Sequence, residues 1–137
     1  FTAGSGLDIQ VFSGRAYDVM ASSDLILIAS GTATLEAAII GTPMVITYRV
    51  APLTYIIGKM LVDIDFVGLP NIVSGEGVVP ELIQGDATGE RMADEALRML
   101  GDSGYLTGMK NKLGKVRDTL GGPGASRRAA EIVYRAV

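Results

Sequence analysis

The sequence predicts an α/β fold: an open parallel sheet whose strands alternate with helices, followed by a helical C-terminal tail. Three observations predict it. Short apolar runs such as Leu25-Ile26-Leu27-Ile28-Ala29 are stopped by small residues, here Ser30-Gly31, which is the pattern of a strand buried on both faces. Helical segments of about ten residues separate these runs, as right-handed βαβ units require. The last third of the chain then turns to helical periodicity alone.

In chain order, residues 8–12 carry Ile9, Val11 and Phe12 and read as a short strand, and residues 17–22 suit a short helix. The strand at 25–29 leads into a helix over residues 32–40, with Leu35, Ala38 and Ile39 on one side and Gly41 as its stop. Pro43 opens a strand at 44–48, residues 52–62 form a nearly all-apolar helix, and residues 66–69 form a fourth strand before a loop rich in Gly and Asn. Helices of the tail carry apolar stripes at Met92, Ala93, Ala96, Leu97 and Leu100, then at Leu106, Met109, Leu113, Val116 and Leu120. Gly121-Gly122-Pro123-Gly124 breaks the chain, and Ser126 is placed to cap a last helix. Residues 1–86 are thus read as an incomplete sheet domain, and 87–137 as helices packed on the same unit.

Composition narrows the chemistry. The chain has 137 residues, a length suited to one domain. It contains no His and no Cys, which excludes a Ser-His-Asp hydrolase, disulfides and thiolate metal sites, and leaves Asp, Glu, Lys and Tyr for acid–base work. Twelve basic against fifteen acidic residues give a net charge of -3, which argues against a nucleic-acid partner. No apolar run is long enough to span a bilayer. The opening Phe1-Thr2-Ala3 has neither Met nor a basic n-region, so it is no signal peptide and implies a chain cut from something longer.

Ligands of open α/β sheets sit beyond the carboxyl ends of the strands, so the loops at 30–34, 48–54 and 70–81 are the ones to watch. In Ala29-Ser30-Gly31-Thr32-Ala33-Thr34-Leu35-Glu36 a strand runs through a small-residue turn straight into a helix. Free N–H groups and the positive helix end then face whatever lies above the sheet. A phosphate or diphosphate suits Ser30, Gly31, Thr32, Ala33 and Thr34, and Glu36 is placed to accept two hydrogen bonds from a vicinal diol such as a ribose. The same residues also suit a plain helix cap with Glu36 complementing the dipole, and local physics leaves both open.

The run Ser30-Gly31-Thr32-Ala33-Thr34-Leu35-Glu36-Ala37, with Gly41-Thr42-Pro43-Met44-Val45, Tyr48-Arg49, Pro52-Leu53-Thr54, Leu69-Pro70-Asn71 and Val79-Pro80-Glu81-Leu82-Ile83-Gln84, resembles the lipid-A-disaccharide synthases, in order, from about residue 8 to the end. The resemblance implies the C-terminal, donor-binding part of a GT-B glycosyltransferase, a partial Rossmann-like domain facing a second domain across a cleft. It implies transfer from UDP-2,3-diacylglucosamine to 2,3-diacylglucosamine 1-phosphate, giving lipid A disaccharide 1-phosphate and UDP. The expected place is the bacterial cytoplasm, peripheral to the inner membrane, with no cofactor and no metal.

Carried onto this chain, the turn at 30–34 meets the diphosphate and Glu36 the ribose. Asn71, Glu81 and Gln84 lie at the donor side of the cleft, and Arg49 neutralises a phosphate. Structural roles stand beside these: an ion pair for Arg49, a turn after Pro70 for Asn71, and the first turn of a short helix after Pro80 for Glu81. The catalytic base is expected on the absent N-terminal domain, which leaves this chain alone inactive. Two other readings share the features: the donor-binding segment of a different UDP-sugar transferase, and a non-catalytic nucleotide-binding or oligomerisation module.

In the usual strand order 3-2-1-4-5-6, the strands at 9, 25, 44 and 66 correspond to 3, 4, 5 and 6, and strands 1 and 2 are absent. The strand at Leu25 then has a bare edge, from which a homodimer or a rearranged first strand is expected. The 52–62 segment, and Lys110, Lys112, Lys115 and Arg117 on the second tail helix, suit a membrane-facing surface. The simpler accounts, which take precedence, are a helix packed on the sheet for the first and a solvated helix face for the second.

Overall fold

A computed structural model describes residues 6–51 and 65–136. A three-stranded parallel sheet, in the order β1 (Ile26–Ala29), β2 (Met44–Tyr48), β3 (Glu81–Ile83), forms its centre. Helix α1 (Ala16–Ser22) precedes β1, α2 (Thr32–Ile40) crosses from β1 to β2, and α3 (Leu69–Ser74) precedes β3. A turn of 3-10 helix at Gln84–Asp86 leads to the tail, which is α4 (Gly89–Gly101), α5 (Ser103–Leu120) and α6 (Ala125–Ala136). The fold is the open parallel α/β sheet of a partial Rossmann-like domain, with helices after it.

β2 is the strand buried on both faces. Met44, Val45 and Ile46 are each fully buried: β1 and β3 pair along the two edges, with Ile28 and Glu81 opposite Ile46, and side chains of the helices pack against the strand in the core. β1 was expected to be buried in this way but is not. Its exposure alternates along the strand and Leu27 is 52% exposed. Among the described residues no strand pairs with its outer edge. Residues 8–12, read as a strand from their apolar content, form none and are exposed.

Helix α2 ends as expected. Gly41 takes the left-handed conformation with φ 89° and its N–H returns to Ala37 O at 2.9 Å, a conformation that costs a residue with a Cβ. Ala37 and Ala38 pack with Met109, Leu113 and Val116 of α5, and with Val78, Val79 and Met99, into one core around β2. The small alanines let α5 approach α2, against which it packs, as it does against α3.

Four further expectations are corrected. Residues 66–69 form no strand; Leu69 starts α3, with Pro70 in its first turn and Gly75 closing it at φ 71°. Glu81 begins a strand, not a helix, because its backbone pairs with β2. In α4 the buried residue is Met99, whereas Leu97 and Leu100 are 69% and 50% exposed; Met92, Ala96 and Met99 follow the helical repeat that faces the core. The last helix starts at Ala125, so Ser126 lies within its first turn. The expected helix at 52–62 lies outside the described residues.

Candidate functional site

The candidate site lies at the carboxyl ends of the strands. Ser30 extends the β1–β2 ladder by one bond, its N–H donating to Thr47 O at 3.1 Å, so the chain leaves the sheet beside the end of β2. Gly31 is then the N-cap residue of α2 and offers no side chain to its first turn. Gly31 and Thr32 are exposed, and a Cβ at Gly31 would meet open space. The first N–H groups of a helix have no intrahelical acceptor; here Thr34 N–H turns back to Gly31 O at 3.0 Å, and those of Thr32 and Ala33 are left without a side-chain cap. This is the arrangement that receives anions.

The three hydroxyls of the turn differ. Ser30 Oγ donates to Val67 O at 3.0 Å, and Thr34 Oγ1 donates to Gly31 O at 2.7 Å from a fully buried position. Both therefore shape the turn from within. Thr32 is exposed and has the hydroxyl available to a ligand. Ala33 and Glu36 are half-buried, with Glu36 one turn into the helix.

Asn71, Glu81 and Gln84 are engaged inside the protein. Asn71 is 1% exposed. Its Oδ1 accepts from Val78 N and Val79 N at 2.8 and 2.9 Å, and its Nδ2 donates to Val79 O at 2.9 Å and Glu81 Oε1 at 2.7 Å. Four bonds exhaust an amide side chain. Glu81 also accepts from Val67 N at 2.8 Å and Gly68 N at 2.9 Å. Since Ser30 Oγ binds Val67 O, a continuous polar path runs from Asn71 through Glu81 and Val67 to the turn. The chain comes so close here that a Cβ on Gly68 would collide with Ile46 Cδ1 and Glu81 Oε1.

Gln84 clasps the neighbouring loop. Its Oε1 accepts from Val50 N at 2.8 Å and its Nε2 donates to Val50 O at 3.1 Å, from a left-handed backbone at φ 52°. That grip fixes the chain beside Arg49, which is exposed and makes no ion pair among the described residues. The structural ion pair that competed with a phosphate role for Arg49 is thus not formed among them. The turn, Arg49 and Gln84 all lie at the carboxyl edge of the three strands.

Sequence reasoning singled out these residues but missed two neighbours. Val67 lends its backbone to the path between the turn and Glu81, a role no side-chain pattern signals. Tyr17, at the start of α1, is near enough to Glu36 for the carboxylate's negative charge to raise the phenol above its ordinary value. No group of three or more potential metal-ligating side chains converges among the described residues.

The comparisons with known proteins are decisive on kinship. The family model for lipid-A-disaccharide synthetase matches residues 2–133. This chain belongs to the lipid-A-disaccharide synthase family. Curated relatives of that name include the protein of Geobacter sulfurreducens, 51% identical over 131 residues, and that of Geobacter metallireducens, 50% identical over the same length. The protein of Nitrosococcus oceani is 45% identical over 132 residues. Each alignment covers 96% of this chain but 34% of the relative, so the chain spans about a third of the length of the family members it matches. The family is one of glycosyltransferases acting in lipid A biosynthesis.

Proposed function

We propose that this chain is the UDP-binding part of a transferase that joins UDP-2,3-diacylglucosamine to 2,3-diacylglucosamine 1-phosphate, giving lipid A disaccharide 1-phosphate and UDP. The observation that carries the reading is the uncapped, exposed start of α2 at Gly31 and Thr32, with Glu36 one turn further on and Arg49 at the same sheet edge.

In this reading the first-turn N–H groups and Thr32 hold the diphosphate, Arg49 adds a formal positive charge, and Glu36 accepts from the two ribose hydroxyls. The acceptor oxygen displaces the diphosphate at the anomeric carbon with inversion, and negative charge grows on the departing UDP. A helix N-terminus and an arginine stabilise that charge as it develops. No resident cofactor or metal takes part in this scheme. Asn71, Glu81 and Gln84 serve by holding the turn and the Arg49 loop in place. The base that deprotonates the acceptor belongs to the portion of the relatives that this chain does not span, so the chain alone is inactive. The lipid substrates imply work at the cytoplasmic face of the bacterial inner membrane, through peripheral contact.

The test joins this chain to the N-terminal two thirds of the Geobacter sulfurreducens relative and measures UDP release from the two lipid substrates. Transfer by the chimera, absent from either part alone, is expected. A folded chimera that binds UDP but releases none would contradict the proposal.

A further inference from the structure

Tyr48 stands at the site but has no part in the reading above. Alternate residues of a strand share a face, so Met44, Ile46 and Tyr48 form one row of β2. Met44 and Ile46 are fully buried, whereas Tyr48, the last residue of the strand, is 36% exposed. The neighbours identify the face. A Cβ on Gly68 would meet Ile46 Cδ1, so the chain leading into α3 covers it, and α2 packs against α3 there. Ile28 is paired with Ile46, and the bond from Ser30 N–H to Thr47 O carries that register one step further. Ser30 is thereby set opposite Tyr48 on one side, as Ile83 is on the other. Ser30 Oγ reaches Val67 O on this same face. Tyr48 thus lies one strand spacing, about 4.8 Å between backbones, from the residue that opens the turn into α2. Among the described residues its phenol oxygen takes part in no hydrogen bond.

We propose that Tyr48 is a further donor-binding residue: its phenol O–H donates to an oxygen of the diphosphate held at the start of α2. The proposal rests on the nucleotide reading above. A tyrosine joins an apolar ring to a polar tip, and here the ring is part covered by the sheet edge and part open at its rim. Thr32 and the free N–H groups approach the diphosphate from α2, and Tyr48 approaches it from the neighbouring strand, so the group is held from two directions. A hydrogen bond to a charged oxygen is among the stronger ones. As the bond to the anomeric carbon breaks, negative charge grows on the departing UDP, and a donor already in place gains strength with it.

The experiment is titration of the whole chain with UDP and with uridine, followed by NMR chemical shifts, for the unaltered protein and for Tyr48→Phe. The substitution keeps the ring and removes the donor. The expected result is a loss of about tenfold in UDP affinity, the size of one hydrogen bond to a charged group, with uridine, which has no phosphate, changed by less than about twofold. A merely structural role would weaken both ligands alike, and that result, or no loss for UDP, overturns the inference while UDP binding itself stands. Failure of the unaltered chain to bind UDP overturns the nucleotide reading and this inference with it. A second measurement needs no variant: in the unaltered chain the Tyr48 ring resonances are expected to shift when inorganic diphosphate is added. Ring signals that stay in place while the amide signals of Thr32 and Ala33 move remove the contact and the proposal.

Discussion

The Nδ2 of Asn71 donates to Oε1 of Glu81 at 2.7 Å, and this bond joins α3 to the start of β3 underneath the candidate site. From it, Glu81 holds the backbone of Val67 and Gly68, and Val67 in turn accepts from Ser30. A buried amide with every valence used is a support for the turn above it.

Replacing Asn71 by Ala strands Val78 N–H, Val79 N–H, Val79 C=O and one oxygen of Glu81. Leaving buried polar groups unpaired costs about 1–3 kcal/mol apiece when nothing relaxes. Local relaxation and water entry bring the expected loss of unfolding free energy to about 2–4 kcal/mol, read from urea denaturation. A loss below about 0.5 kcal/mol would mean that the support is dispensable.

Gly68 is confined in space rather than in backbone angle. A methyl group there meets Ile46 Cδ1, in the fully buried centre of β2, and the carboxylate of Glu81. Gly68→Ala is expected to lower stability by about 1–3 kcal/mol through overpacking, and Gly75→Ala to do so through its left-handed φ of 71°. The two are told apart by combining Gly68→Ala with Ile46→Val, which restores part of the loss only at Gly68.

Gln84 combines a strained backbone with a useful side chain. Gln84→Ala keeps the left-handed conformation and drops both bonds to Val50. Gln84→Gly drops the same bonds but relieves a cost of about 1 kcal/mol. The glycine variant is therefore expected to be the more stable of the two by about that amount in chemical denaturation, with both below the unaltered chain.

Arg49→Ala separates ligand binding from folding. The side chain is exposed and makes no ion pair among the described residues, so the melting temperature is expected to stay where it is. UDP affinity is expected to fall by about 1–2 kcal/mol, with a weaker dependence on salt. Equal affinity for UDP before and after the change would release Arg49 from the site.

How much of this was legible follows from where each signal resides. β2, α2 with its Gly41 stop, and the long helix α5 with Met109, Leu113 and Val116 inside are written in local periodicity, and the turn at Ser30-Gly31-Thr32 in its small residues. β3 was not legible because Glu81-Leu82-Ile83 is three residues long and opens with a charge after Pro80. Its strand conformation comes from pairing with Tyr48 and its neighbours across the sheet. The run at 66–69 looked like a strand because Phe66, Val67 and Leu69 are apolar, yet its N–H groups go to the side chain of Glu81, a bond that no window of sequence contains. Gly68, Pro70 and Gly75 did mark a short helix, had they been read as its N-cap, first turn and end. At the site, the turn and Glu36 followed from position after a strand. The inward commitments of Ser30, Thr34, Asn71 and Gln84 depend on partners up to 37 residues away.

The most direct test is titration calorimetry of this chain with UDP, with ADP as the control and Glu36→Ala alongside. The account predicts saturable binding of UDP, much weaker binding of ADP, and a loss of about 1–3 kcal/mol in the Glu36 variant. Absence of UDP binding, or binding that ignores Glu36, would contradict the assignment of the turn between β1 and α2 as the nucleotide site.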